Sequence, residues 1–368
     1  MHKNNHKSWH SIHSVILEIQ KKLLTHINVI LTDLGLVFKS IALEDFGIAN
    51  SKISKATFTK SVQAVNSSVH HNGWFTKTEV KRALTAWNLA LQSEKIENWT
   101  SSFSTENSVK KKVGLVCAGN IPLVGLHDLL CVLAAEHEAV LKLSSKDSIL
   151  MMMCIEILKE LHPNWSNSIT VNHGKLDNID FVIATGSDNS ARYFKYYFNH
   201  IPHIIRKNRT SVAILDGKET DDDLIGLGND IFSYYGLGCR NVTKLYLPRG
   251  YDLDVFFKGI FSFKDIVNHN KYANNYDYHR AVWLMNQEPL LENGFLLLKE
   301  SSELTSPVGS LFYEFYDDKP ALKASLESKK EEIQCLVSNS NIPFGEAQFP
   351  ELNDYADGIN TINFLLEI

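Results

Sequence analysis

The middle of the chain alternates short apolar segments with helical patterns, and this alternation restricts the possible folds more than any other feature of the sequence. Apolar strands are predicted at residues 113–118, 139–143, 169–171, 181–184, 211–215 and 242–247. Helical patterns lie between them, at residues 126–136, 148–161, 186–197 and 222–235. Apolar strands separated by helices are typical of a parallel sheet covered on both faces. We therefore predict an α/β fold.

The segments on either side of this region have different patterns. Residues 14–110 carry apolar side chains three and four positions apart and are predicted to be mainly helical. Within them, Thr76 and Glu79 have the spacing of a capping box at a helix start. The run 361–366 has the pattern of an apolar C-terminal strand. Such an edge strand can pair with a second subunit, so we expect a homo-oligomer, either a dimer or a tetramer.

Composition excludes several classes of protein. The chain has 368 residues, of which 44% are hydrophobic and 21% charged, with a formal net charge of −5. This mild acidity argues against nucleic acid as a partner. We expect no stable membrane insertion, because no apolar stretch in the sequence reads as a bilayer span and the N-terminus lacks a signal-peptide core. The five cysteines show no paired spacing, which argues against disulfides and zinc and favours the cytoplasm.

Four histidines, His2, His6, His10 and His13, lie at helical spacing near the start of the chain. Polar residues surround them, and no apolar face would order the segment. A frayed tail, or an overlong start to the reading frame, fits this composition better than a metal site. We therefore predict no bound metal.

Cys239 is the candidate nucleophile. It lies in a glycine-rich corner, Gly236-Leu237-Gly238-Cys239, between a predicted helix and a predicted strand. Such a corner can present a thiol to a cleft without a bulky neighbour, and a thiolate can attack a carbonyl carbon. The alternative is a small, buried apolar residue at a sheet edge.

Several polar residues follow predicted strands, where ligands of parallel sheets gather. They are Asn120, Lys142, Gly186 and Ser187. The sequence contains no Gly-x-Gly-x-x-Gly motif and no P-loop, so neither of these phosphate-binding motifs explains the sheet.

The order of these motifs resembles the aldehyde dehydrogenase superfamily, and most closely the LuxC-type fatty-acyl-CoA reductases, over roughly residues 70–368. The matching segments are Gly119-Asn120-Ile121-Pro122, Lys142-Leu143-Ser144-Ser145, Thr185-Gly186-Ser187, Gly236-Leu237-Gly238-Cys239 and Glu303-Leu304-Thr305-Ser306-Pro307-Val308. The resemblance implies a Rossmann-type cofactor domain and an α/β catalytic domain. We predict a helical region and dinucleotide-binding domain at 1–210, a catalytic domain at 211–340, and a C-terminal segment at 341–368. That last segment would serve oligomerisation or pack back on the cofactor domain.

The resemblance also implies roles for individual residues. Cys239 is the nucleophile, and the Asn120 amide stabilises charge on the carbonyl oxygen. Lys142, Ser144 and Ser145 would bind the adenosine ribose of the cofactor. Gly186 and Ser187 would bind its pyrophosphate. Glu303 would bind the nicotinamide ribose. Ser145 replaces the family's usual acid, with Lys146 beside it, which favours NADPH over NADH because a carboxylate would repel a 2′-phosphate. Each of these residues also has an ordinary alternative as a loop or surface side chain. Leu237 departs from the family's glutamine.

The segment 206–211 lacks the carboxylate that activates water in aldehyde-oxidising relatives. Its basic residues either form a solvated cluster, help to bind CoA phosphates, or lower the pKa of Cys239. The predicted function is NADPH-dependent reduction of acyl-CoA to aldehyde through a cysteine thioester. The alternatives are a CoA-acylating aldehyde dehydrogenase for short aldehydes and a non-reducing acyl-carrying or assembly subunit.

Overall fold

The computed structural model describes residues 26–104 and 109–367, and it begins with a layer of helices. These helices are α1 (His26–Leu43), α2 (Phe46–Ala49), α3 (Lys55–His71), α4 (Lys77–Ala90) and α5 (Ser93–Thr100). The predicted cap of α4 is present, because the Thr76 hydroxyl accepts a hydrogen bond from the Glu79 N–H at 3.4 Å. The Glu79 carboxylate does not return to the cap as a capping box requires, and instead accepts from the N–H of Tyr234. The four N-terminal histidines lie outside the described residues.

The first sheet has five parallel strands. Its strands and helices are β1 (Lys112–Val116), α6 (Leu126–Ala134), β2 (Glu138–Lys142), α7 (Ser148–Leu161), β3 (Ile169–Val171), β4 (Phe181–Thr185), α8 (Asp188–Phe198) and β5 (His203–Arg206). The strand order is β3-β2-β1-β4-β5, and every neighbouring pair is parallel. The chain changes direction across the sheet between β1 and β4, which is where open α/β sheets bind their ligands.

The second sheet has six strands and is mixed. Its strands and helices are β6 (Thr210–Ile214), α9 (Asp221–Phe232), β7 (Val242–Pro248), α10 (Leu253–Gly259), α11 (Asn270–Met285), β8 (Leu291–Glu292), β9 (Leu297–Glu300), β10 (Ser310–Tyr316), α12 (Lys319–Ser328) and β11 (Ile333–Val337). The strand order is β11-β6-β7-β10-β9-β8, and only β8 and β9 pair antiparallel. The predicted α/β class is confirmed, and β5 is a strand that the sequence analysis did not predict.

The C-terminal run 361–366 is a helix, α13 (Thr361–Leu366), so the prediction of a strand there was wrong. Asn360 caps it by accepting a hydrogen bond from the Asn363 N–H at 3.0 Å. Ile362 and Leu365, three positions apart, are fully buried. This spacing lies on one face of a helix, and the capping asparagine starts the helix where β-branched residues suggested a strand. The proposed edge for subunit pairing is therefore absent from this run.

The first hydrophobic core draws on both ends of the described chain. It contains side chains from α1, the first sheet, α6 and α7, together with Leu352, Tyr355, Ile362 and Leu365. A second core lies under the second sheet, α9, α10 and α11. The two sheets succeed one another in the chain between Arg206 and Thr210.

Helix α1 is apolar enough, by length and composition alone, to cross a membrane. Its 18 residues have a mean hydropathy of 1.4, and it is the one helix of this kind among the described residues. The expectation that no apolar stretch is long enough to span a bilayer was therefore wrong for this helix. In the folded chain, Leu34, Val37, Phe38 and Ile41 of this helix are fully buried in the first core. A core helix of a globular domain has the same composition.

The helical packing of α13 can be tested by shortening one buried side chain. Leu365→Ala should lower the free energy of unfolding by about 2–5 kcal/mol, because it leaves a cavity in the first core. Asn363→Ala, on the exposed side of the same helix, should change it by less than about 0.5 kcal/mol. Urea denaturation followed by circular dichroism measures both. Equal, small effects of the two substitutions would contradict this packing.

Candidate functional site

A cavity of about 180 Å³ lies between α4, the loop after β1, the corner before β7 and the C-terminal segment. Most of its lining is apolar. The residues around it are Ala83, Ala86, Trp87, Ala90, Ile121, Pro122, Leu123, Val124, His127, Tyr234, Gly238, Cys239, Arg240, Gln334, Gln348, Pro350, Glu351, Leu352, Asp354 and Ala356. The predicted nucleophile therefore lines an apolar cavity to which both sheets contribute loops.

The corner that carries Cys239 is held by buried polar groups on both sides. The Gly238 N–H donates to Asn241 Oδ1 at 2.8 Å, and Asn241 is fully buried. The Ser211 hydroxyl donates to the Cys239 carbonyl at 2.9 Å. The same hydroxyl accepts from the N–H of Cys335 at 3.0 Å. These bonds fix the backbone on either side of the sulfur.

The Cys239 thiol is not activated by its surroundings in the protein alone. Burial raises its pKa to about 11, while the neighbouring Arg240 guanidinium acts in the opposite direction and lowers the pKa. The side chain is partly buried. The thiol is therefore protonated at neutral pH, and it would have to lose its proton to act as a nucleophile.

Asn120 contacts the corner that carries Cys239. It follows β1 and is exposed, and its Nδ2 donates to the carbonyl of Leu237 at 2.8 Å. The next two residues, Ile121 and Pro122, line the cavity. The structure therefore brings Asn120 to the Cys239 corner, to which its side-chain amide donates one hydrogen bond. Its role toward a carbonyl oxygen stays a prediction.

The predicted ribose-binding residues lie at the carboxyl end of β2. Lys142 and Ser145 are exposed there, as is Lys146. Ser144 differs from them, because its hydroxyl accepts from the Lys146 N–H at 3.2 Å. It also packs so closely on Gly119 that a Cβ at that glycine would lie 2.6 Å from the hydroxyl. Ser144 therefore supports the β1 turn, and Lys142 and Ser145 are the accessible members of this set.

Gly186 and Ser187 lie between β4 and α8. Ser187 caps α8 by accepting from the Ser190 N–H at 3.3 Å. A Cβ on Gly186 would lie 2.8 Å from the Ser190 Cβ, so glycine lets the helix approach the strand. Strands β2, β1 and β4 are neighbours and parallel, so these residues share one edge of the sheet with Lys142. Exposed donors at adjacent strand ends and a helix N-terminus fit a dinucleotide.

Glu303 lies apart from these residues. It is exposed, in the loop after β9 of the second sheet, and its N–H donates to the Ser301 hydroxyl at 3.2 Å. It is not among the residues that line the cavity. Its predicted contact with a nicotinamide ribose stays a prediction. No group of three or more potential metal ligands lies in the described part of the chain.

The basic segment 206–211 does not form a solvated cluster as a whole. Arg206 ends β5, is buried, and forms an ion pair with Asp128. Its second terminal nitrogen donates to the Thr361 hydroxyl at 2.9 Å. Arg209 lies 3.3 Å from Asp357. The two arginines are therefore paired with internal carboxylates, whereas Lys207 is exposed, and binding of CoA phosphates by this segment stays a prediction.

Three polar residues that were not predicted for the site support it. Glu79 and Asn241 hold the Cys239 corner. Asp230, which is fully buried, accepts from the N–H groups of Gly345 at 2.7 Å and Ala347 at 3.0 Å. Burial raises the pKa of Asp230 to about 7. Asp230 offered a signal in the sequence, because it is a lone acid in the apolar part of a predicted helix. The partners of Glu79 and Asp230 are far away in the chain, and no local pattern reveals them.

Known proteins with similar sequence or structure place these observations in context. No family model matches this sequence. A "long-chain acyl-protein thioester reductase 2" from Photobacterium leiognathi is 27% identical over 216 residues, which cover 52% of this chain and 44% of the relative. The match thus spans less than half of that relative's length. It confirms the resemblance to LuxC-type reductases predicted from the motifs.

Solved aldehyde dehydrogenases have the same fold. An NAD-dependent aldehyde dehydrogenase from Sinorhizobium meliloti superposes with a TM-score of 0.56 at 10% identity, covering 86% of this chain and 71% of that one. An indole-3-acetaldehyde dehydrogenase in complex with NAD+ has a TM-score of 0.57 at 12% identity, covering 85% and 71%. The chain therefore has an aldehyde dehydrogenase-like fold.

The raised pKa of Asp230 predicts how stability depends on pH. The folded state holds this proton up to about pH 7, whereas the unfolded chain releases it near its ordinary pKa of 3.8. The folded state therefore binds more protons between these values, and Asp230 lowers stability as pH rises through that window, by up to about 1.4 kcal/mol per pH unit.

The test compares wild type with Asp230→Asn by urea denaturation at pH 5, 6, 7 and 8. The wild-type free energy of unfolding should fall relative to that of the variant up to about pH 7 and then level off. A difference between the two proteins that does not change with pH would contradict the assignment.

Proposed function

We propose that this protein reduces acyl-CoA to the corresponding aldehyde with NADPH, through a thioester on Cys239. The observation that carries the proposal is the position of Cys239, which lines an apolar cavity while Asn120 bonds to the same loop. An apolar cavity suits an acyl chain, and a thiol beside amide donors suits attack on its carbonyl carbon.

The comparisons support the broader class, an oxidoreductase that acts on aldehyde or acyl groups with a nicotinamide cofactor. The similar reductase is named for acyl-protein thioesters and long chains, and several similar structures are aldehyde dehydrogenases, some with bound NAD+. The choice of acyl-CoA as donor and of NADPH as reductant belongs to the proposal.

In the proposed reaction, the Cys239 sulfur forms a bond to the acyl carbon and the bond to the CoA sulfur breaks. The proton lost by Cys239 balances the proton taken up by the leaving CoA thiolate. The Asn120 amide and the Cys239 N–H stabilise the negative charge on the carbonyl oxygen. When bound, the nicotinamide supplies a hydride to the thioester carbon. Release of the aldehyde then frees the Cys239 sulfur as a thiolate, and uptake of one proton from solvent restores the thiol.

Residues of the first sheet would bind the cofactor. Ser187 and the first N–H groups of α8 would face the pyrophosphate, and Lys142 and Ser145 would face the adenosine ribose with its 2′-phosphate. The preference for NADPH rests on the absence of a carboxylate at position 145 and on the charge of Lys146. Glu303 would approach the nicotinamide ribose from the second sheet.

The cavity contains two carboxylates, although segment 206–211 has none. Glu351 lies 3.3 Å from Lys95, and Asp354 accepts from the Glu351 N–H at 3.0 Å. Glu351 is thus paired with a lysine of α5, and Asp354 is bonded to the backbone of its own segment. Because both carboxylates already have these partners, we propose that the thioester is mainly reduced and not hydrolysed by water. The ratio of aldehyde to free acid among the products measures that partition.

Acylation of Cys239 is the first test of the proposal. Radiolabelled acyl-CoA without cofactor should label the wild type and Cys117→Ala, but not Cys239→Ala. Cys117 is a matched control, since it is also a partly buried free cysteine and burial raises its pKa to about 12. Stoichiometric labelling of Cys239→Ala would refute the assignment. Labelling followed by no NADPH oxidation would favour the acyl-carrying alternative.

The cofactor preference is tested by a charge at the end of β2. Ser145→Glu should lower the ratio of kcat/KM for NADPH to that for NADH by about tenfold or more, because a carboxylate repels the 2′-phosphate. Ser325→Glu, on the exposed side of α12 in the second sheet's half, should leave this ratio unchanged. Steady-state rates at 340 nm give the ratio. A wild-type preference for NADH would overturn this part of the proposal.

A further inference from the structure

The backbone just before Cys239 adopts a left-handed turn. Tyr234 has φ 52° and ψ 26°, Tyr235 has φ 57° and ψ 26°, and Gly236 has φ 77°. Single left-handed residues are usually glycine, and two adjacent tyrosines in this conformation are unfavourable without support. The turn therefore persists only because surrounding groups hold it.

The end of α9 shows why the chain leaves the helix here. The buried Asn241 amide donates to the carbonyls of Ser233 at 2.8 Å, Asp230 at 3.0 Å and Ile231 at 3.3 Å. The Asp230 carbonyl is the one to which the Tyr234 N–H would bond if the helix continued. The backbone leaves the helix at Ser233, where ψ is 141°, so the Tyr234 N–H does not reach that carbonyl and requires another partner.

Glu79, in the first turn of α4, supplies that partner. Its Oε2 accepts from the Tyr234 N–H at 2.6 Å, and the side chain is buried. Arg82 Nε lies 3.2 Å from the same oxygen. A second contact follows one residue on, where the Tyr235 hydroxyl lies 3.3 Å from the Thr76 hydroxyl. Tyr235 also stacks on His269, with 4.2 Å between ring centroids.

The far end of the turn is also fixed. Asn120 donates to the Leu237 carbonyl, and Asn241 accepts from the Gly238 N–H. The turn is thus held by α4 at its start and by the β1 loop at its end, with Cys239 directly after it. The ring of Tyr234 lines the same cavity as the sulfur.

We propose that Glu79 is a positioning residue for Cys239. Its carboxylate holds Tyr234 in the left-handed turn and thereby sets where the sulfur lies relative to Asn120 in the cavity. Glu79 does not touch the reacting atoms. Its connection with catalysis rests on the proposed function, whereas its hold on the turn does not.

The experiment compares Glu79→Ala with Glu79→Gln, because glutamine keeps an oxygen that can accept the Tyr234 N–H. Iodoacetamide is the probe, and mass spectrometry follows alkylation of each cysteine in the folded protein. In Glu79→Ala, Cys239 should be alkylated about tenfold faster or more, because the corner opens to solvent. Cys131 and Cys154, which are fully buried in the first core, should stay unmodified.

The same variants are assayed for acyl-CoA reduction. Glu79→Ala should lower kcat by about a hundredfold, since a displacement of about 1 Å can have this effect, while KM for NADPH stays near the wild-type value. Glu79→Gln should recover most of both properties. Lys81→Gln should resemble the wild type, because this lysine of α4 pairs with Glu44 and not with Glu79.

Hydrogen exchange of the Tyr234 amide provides a measurement that does not depend on a variant folding. In the wild type this amide should be strongly protected, as a buried hydrogen bond requires. A Tyr234 amide that exchanges as fast as one in an exposed loop would overturn the proposal. So would a rate of Cys239 alkylation in Glu79→Ala equal to that in the wild type. If wild-type protein failed to reduce any acyl-CoA but showed the expected alkylation and exchange, the proposed function would fail and the positioning role would stand.

Discussion

The cavity exists because the C-terminal segment is bonded to both sheets. On the first sheet's side, Arg206 joins Asp128 to the Thr361 hydroxyl. On the second side, Asp230 binds the N–H groups of the 345–347 turn, and Arg240 Nε donates to the Ala347 carbonyl at 2.6 Å. Buried charges are costly unless paired, so each of these contacts ties the segment to one arrangement. The residues between the two attachments form one wall of the cavity.

This arrangement also explains why the thiol is protected. Cys239 lies at a corner that the C-terminal segment covers, so burial raises its pKa to about 11. A high pKa limits side reactions with oxidants and other electrophiles in the absence of substrate. In the proposed reaction, an acyl group bound close to the sulfur would offset the low fraction of thiolate.

Local patterns in the sequence predicted much of the fold. The helix 148–161 and the strand 169–171 were predicted with the bounds that the structure has, because a long helix leaves a strong periodic signal and Ile169-Thr170-Val171 is a run of β-branched residues. Strand β5 was missed because it is short and ends in Arg206, a charge that is buried only through Asp128. The run 361–366 was misread because β-branched residues favour a strand locally, whereas packing against the first core favours a helix.

The site was predictable in part, for a related reason. Cys239 and Asn120 belong to recognisable local motifs, and the structure brings their loops into contact. Glu79 and Asn241 act on the nucleophile corner through hydrogen bonds to backbone groups, and such bonds leave no trace in residue spacing. Glu79 lies 155 positions from Tyr234, so only the folded chain reveals the contact.

The sharing of the first core between the two ends of the described chain has a consequence for biosynthesis. Trp99 donates to the hydroxyl of Tyr355, 256 positions later, and His137 bonds to the carbonyl of Leu365. A ribosome releases the chain from its N-terminus, so the sheet that is made first must wait for α13 before its core closes. The second sheet is synthesised in the interval and can complete its own core earlier. The first core is therefore completed after the second, although the first sheet precedes the second in the chain.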